Sequence, residues 1–165
     1  MTTDSTPTAI EREPDRVIVF DTTMRDGEQS PGASMSLEEK IELAGILEEM
    51  GVDVIEAGFP IASNGDFEAV RRIAQLVKQS VVCGLARAGV ADIDRCAEAL
   101  RGAARGRIHT FISTSPQHRD HILRLSAAEV IDAVSASVGH ARNLCDDVEW
   151  SAQDATRTER DVLRR

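Results

Sequence analysis

No stretch of the 165 residues approaches the ~20 consecutive apolar residues that a membrane-spanning helix needs. The amino-terminal MTTDSTPTAIEREP is too polar for a secretory signal. Cysteine is scarce: Cys83, Cys96 and Cys145 are odd in number and isolated. They read as buried small hydrophobes in a reducing compartment, not as a disulfide set or a metal knuckle. Positive charge is also in deficit, 19 Lys and Arg against 28 Asp and Glu, for a net charge of −9. That balance argues against general binding to nucleic acid or anionic membranes, so an anionic ligand needs locally placed cations or a metal. What remains is a cytoplasmic α/β domain, 42% apolar and able to bury a core.

Residues 1–15 carry Thr, Ser, Pro and acidic residues without periodicity and read as a flexible leader. Beyond them one unit recurs: a short apolar run, a polar or glycine-bearing loop, then an amphipathic helix. The runs fall at residues 17–20, 52–55, 81–85, 108–112 and 148–150, mostly β-branched and short, as strands buried on both faces should be. Ser36 with Glu39 and Ser126 with Glu129 form capping boxes, each opening a helix. Leu37, Ile41, Ala44 and Leu47 give the first helix its apolar stripe, and Gly51 its stop. Further helices are expected after Asn64, from about Asp92, and near Thr158.

Strict strand–helix alternation implies parallel pairing through right-handed crossovers. No G-x-G-x-x-G follows the first run, which argues against a dinucleotide-binding sheet. The unit spacing suits a parallel (β/α)8 TIM barrel of ~250 residues, of which this chain holds about the first four to five βα units. Residues 16–165 would then be the amino-terminal part of that domain.

In such a barrel the carboxyl ends of all strands open on one face, where active sites are built. Ionisable and polar residues gather at those ends: Asp21, Arg25, Asp26, Glu28 and Gln29 after the first strand, Glu56 on the second, and Arg87 on the third. The fourth carries His109 and Thr110, and the fifth Glu149 and Ser151. Such a set suits a divalent metal and an anionic substrate. Duller roles stand beside it: Asp21 and Glu28 as turn caps, Arg87 in an ion pair with a strand-end carboxylate, His109 as a hydrogen-bonded core residue. Glu56 follows Ile55 directly, and a buried carboxylate there requires a partner or a function.

The motif FDTTMRDGEQSPGA (residues 20–33) resembles the amino-terminal signature of the α-isopropylmalate and homocitrate synthase family. IEAGFPIAS (55–63) and GDFEAV (65–70) are similar to its isopropylmalate branch. HTFISTSP (109–116), VEWS (148–151) and DATRT (154–158) continue the resemblance in order. It implies a (β/α)8 barrel and a metal-dependent Claisen-type condensation of acetyl-CoA with a 2-oxo acid, here 3-methyl-2-oxobutanoate, in leucine biosynthesis. By motif position Asp26 is a ligand of the divalent metal (Mn, Zn or Mg), while Arg25 and Glu149 are catalytic. Gln29, Glu56, His109 and Thr110 match substrate-binding positions.

The family completes its metal site with a His-x-His pair and an Asn on later strands, and no His-x-His occurs in these 165 residues. The chain is therefore expected to hold part of the catalytic machinery, to be inactive alone, and to be a homodimer in its full-length form. The loop 117–121 and Gln153, where an acidic residue is common, also depart from the pattern. Homocitrate or citramalate synthase, an aldol-type lyase on the same barrel, and a non-catalytic half-barrel are the alternatives.

Overall fold

The computed structural model describes residues 16–165; the leader expected over residues 1–15 lies outside the described residues. Five parallel strands stand in the order β1 (Phe20–Asp21), β2 (Val54–Gly58), β3 (Val81–Arg87), β4 (Gly106–Ser113) and β5 (Val148–Gln153). Each pairs with the next in sequence, so the sheet curls into the amino-terminal part of a (β/α)8 barrel. Helices α1 (Leu37–Glu49), α2 (Asn64–Leu76), α3 (Val90–Leu100) and α5 (Ala127–Arg142) return the chain between strands; α4 (Pro116–His118) and α6 (Arg160–Leu163) are single turns. Among the described residues, no helix is long and apolar enough to cross a membrane.

Both capping boxes form. Ser36 Oγ accepts the Glu39 N–H while Glu39 accepts the Ser36 N–H, and Ser126 and Glu129 repeat the arrangement. Gly51, at φ +80°, ends α1 as expected. The strand bounds differ from the apolar runs. Residues 17–19 stay exposed at the sheet edge, and β1 pairs only through Phe20 and Asp21. β2 begins two residues after its run does, because pairing with β1 and β3 sets its limits.

The curled sheet has two unlike faces. Its convex face packs on the helices through Ile55, Val70, Ile73, Ile93, Cys96 and Ile108, all fully buried. Gly84 is required in that layer: a Cβ there would lie 2.6 Å from Cys96 Sγ. The concave face holds a smaller apolar group of Phe20, Val54, Val81 and Cys83, below a set of polar side chains.

Candidate active site at the carboxyl ends of the strands

The loop leaving β1 is wound around one carbonyl. Thr22 O accepts the N–H groups of Arg25, Asp26 and Gly27 at 3.1, 2.9 and 3.1 Å, and Met24 is buried completely beneath them. This coil turns Arg25 inward and leaves Asp26 at the rim, its side chain 62% exposed. The far part of the loop is tied down by Glu28, which accepts the Met35 N–H at 2.9 Å and the Lys40 ammonium at 2.6 Å. Lys40 is buried, and its Nζ also stands 3.6 Å from Asp66 at the start of α2. One cation thus joins the loops that follow β1 and β2.

Glu56 is the centre of the site. It is fully buried, its Oε2 accepting Arg25 Nε at 2.7 Å and its Oε1 accepting His109 Nδ1 at 2.7 Å. Burial alone would raise its pKa, but the hydrogen bonds from His109 and Arg25 outweigh that and hold the carboxyl below its ordinary value. An ionised carboxylate only accepts, so His109 carries its hydrogen on Nδ1, and Nε2 faces Ser151 Oγ at 2.7 Å. Arg25 Nη1 reaches Asp26 at 3.1 Å. Groups from the loop after β1 and from β2, β4 and β5 are thereby joined in one network. Above it opens a cleft of about 480 Å³, lined among others by Arg25, Asp26, Gln29, Phe59, His109 and Ser151. A larger hollow of about 710 Å³ lies at the other end of the strands, away from these groups.

Of the residues singled out in the sequence, Arg25, Asp26, Gln29 and His109 line the cleft, and Glu56 supports it from beneath. Two are not brought there. Thr110 follows His109 on β4 and so projects from the opposite face; its buried Oγ1 has no hydrogen-bond partner among the described residues. Glu149 stands across from His109 in the register, but its carboxylate accepts Arg107 Nη1 at 2.9 Å, and that guanidinium also holds Asp147. It is paired inside the sheet's curve and does not line the cleft.

The duller readings hold elsewhere. Asp21 caps a turn by accepting both the N–H and the hydroxyl of Thr23. Arg87 does form an ion pair, but with Asp92 on α3 at 2.6 Å and not with a strand-end carboxylate, and it lies over the Phe59 ring. Lys40 was not singled out, although it sits three residues after Leu37 and four before Ala44, on the inward stripe of α1. A lysine there signals a buried partner. Cys83 is a small buried residue as its sequence context suggests, yet its sulfur and the ligand atoms of Glu56 and His109 all lie within 4.8 Å of one another.

The sequence matches the HMGL-like family over residues 16–165. It is 71% identical over 161 residues to a protein named 2-isopropylmalate synthase from Caulobacter vibrioides (strain NA1000 / CB15N), covering 98% of this chain and 31% of that one. A 2-isopropylmalate synthase from Caulobacter sp. (strain K31) is 68% identical over 163 residues, covering 99% and 31%. One from Rhodopseudomonas palustris (strain BisB5) is 65% identical over 153 residues, covering 93% and 29%. The chain spans less than a third of the length of these curated relatives.

Proposed function

Because this chain belongs to the HMGL-like family, we propose that it supplies the first half of the active site of a cytoplasmic 2-isopropylmalate synthase. The reaction joins the methyl carbon of acetyl-CoA to the ketone carbon of 3-methyl-2-oxobutanoate. The methyl group gives up a proton, the ketone oxygen becomes an alkoxide that takes one, and water then cleaves the thioester of the adduct to free the CoA thiol and a carboxylate. Negative charge therefore develops on oxygen twice, at the thioester and at the ketone.

The observation that carries this reading is the Arg25–Glu56 pair under the cleft. Glu56 holds Nε and Asp26 holds Nη1, so the guanidinium plane is fixed before substrate arrives. A preorganised planar cation is suited to a developing oxyanion, since no reorganisation is needed when the charge appears. His109 and Ser151 keep the other side of Glu56 in register, and Gln29 offers an amide to the substrate's polar groups. Asp26 would contribute one oxygen to a divalent Mn, Zn or Mg ion, which when bound polarises the carbonyl of the oxo acid. Its exposed carboxylate at the rim fits a hard cation, but one ligand does not hold an ion tightly, and turnover by this chain alone is not expected. The partners of the longer protein would be these small molecules and a second copy of itself.

The test is thiol release from acetyl-CoA by the enzyme that carries this segment, against a panel of 2-oxo acids. Preference for 3-methyl-2-oxobutanoate is the expected result. Preference for 2-oxoglutarate or pyruvate would move the protein to a homocitrate or citramalate synthase.

A further inference from the structure

Cys83 takes no part in the hydrogen bonds that join Arg25, Glu56, His109 and Ser151. It is nonetheless next to them: Cys83 on β3 is the register partner of Glu56 on β2, on the same concave face. Its thiol is free, fully buried, and kept protonated by burial and by the negative charge of Glu56. Sulfur, carboxylate oxygen and ring nitrogen lie within 4.8 Å of one another, with all three side chains buried.

We propose that Glu56, Cys83 and His109 form a second metal site, selective for a thiophilic divalent cation such as Zn²⁺ or Cd²⁺ and separate from the oxygen ligand at Asp26. This goes beyond the synthase reading and does not depend on it. Ligands on a tetrahedral ion at about 2.0–2.3 Å stand roughly 3.5 Å apart, so small side-chain rotations close the set. One thiolate and one carboxylate offset the charge of a dication, Glu56 turning Oε1 to the ion while its Oε2 stays with Arg25 Nε at 2.7 Å. Loading releases one proton, from Cys83, to solvent. If Nδ1 binds the ion, the imidazole hydrogen moves to Nε2 and Ser151 Oγ accepts it, so the ring stays neutral. His109 lines the cleft, and solvent from there fills the fourth position. A thiolate–imidazole–carboxylate set favours borderline and soft ions over Mg²⁺, whereas the exposed Asp26 carboxylate favours hard ones.

The chain is titrated with Co²⁺, reading the thiolate-to-cobalt band in the near ultraviolet and the tetrahedral d–d bands in the visible. The expected result is one equivalent with both signatures, displaced by Cd²⁺ and not by excess Mg²⁺. Cys83→Ala and the near-isosteric Cys83→Ser should abolish the charge-transfer band and weaken binding by about a thousandfold, beyond the 10–100-fold cost of losing an outer partner. Cys96→Ala, Cys145→Ala and Asp26→Asn should keep the band. Circular dichroism of each variant checks folding. A purely octahedral cobalt spectrum, displacement by Mg²⁺, or a band that survives in folded Cys83→Ser would overturn the proposal. Failure of the turnover assay would leave these spectra unchanged, so the two readings fail separately.

Discussion

Arg25 and Glu56 stand 31 residues apart in the chain and meet at 2.7 Å, the guanidinium partly open to the cleft and the carboxylate wholly enclosed. The pairing is asymmetric. Arg25 retains some contact with water, while Glu56 depends on its two cationic or donor partners for all of its solvation. Glu56 is thus the residue whose loss leaves most unpaired.

Glu56→Ala should therefore lower stability by about 3–5 kcal/mol, the range for removing one partner of a buried ion pair. Glu56→Gln, which keeps two polar termini of the same shape, should cost less. Urea unfolding followed by circular dichroism measures both. Equal losses in the two variants would mean that packing, not pairing, is what Glu56 contributes.

The same carboxylate sets an acid limit. Its pKa is below the ordinary value of 4.5 in the folded chain because His109 and Arg25 outweigh the effect of burial. A depressed folded pKa gives stabilisation that is fully present above the unfolded value and is lost as pH falls through the folded one. Melting temperature should accordingly fall in acid below about 4.5, and fall less steeply in Glu56→Gln. Parallel acid limbs for parent and variant would assign the loss to other carboxylates.

In the enzyme carrying this segment, Arg25→Lys should reduce turnover by about 10²–10³, as expected when a preorganised donor to an oxyanion is lost. Lysine keeps the charge but not the planar fork. Steady-state kinetics and thermal melting on the same preparation separate the two effects. Unchanged turnover would make Arg25 a structural ion-pair residue.

Lys40→Met should loosen the loop after β1 without unfolding the domain. Glu28 and Asp66 lose their shared cation, at a cost of about 1–3 kcal/mol for polar groups left unpaired. The Met35 amide, which donates to Glu28, should exchange with solvent faster than the amides of α1. Uniform acceleration across the chain would show only global destabilisation.

Gly84→Ala should cost about 1–3 kcal/mol by overpacking, because its Cβ would lie 2.6 Å from Cys96 Sγ. Adding Cys96→Ala should recover part of that loss, giving a non-additive double-mutant cycle. Strict additivity would place the strain elsewhere.

Local chemistry explains what was legible in the residues themselves. The capping boxes at Ser36 and Ser126 form because each involves groups three residues apart, and the βα alternation follows from short apolar runs set between amphipathic helices. The motif around Arg25 and Asp26 marked the cleft because a tight loop brings its own side chains to one strand end. The exact ends of β1 and β2 were not legible, since pairing with a neighbouring strand ends a strand, and that neighbour lies tens of residues away.

The partner of each polar residue was likewise a tertiary matter. Motif position marks Glu149, but the fold alone shows that Arg107, 42 residues earlier, holds its carboxylate. Thr110 reads as a neighbour of His109 until the pleat sends it to the other face. Lys40 lies on the inward stripe of α1 and Cys83 reads as a small buried hydrophobe, but only the curl of the sheet and its loops shows which carboxylates stand beside them. Sequence determined which chemical groups stand at the strand ends, because that depends on local periodicity. Only the folded sheet decided which of them face one another, because burial leaves a charged group no partner except the one that tertiary packing brings.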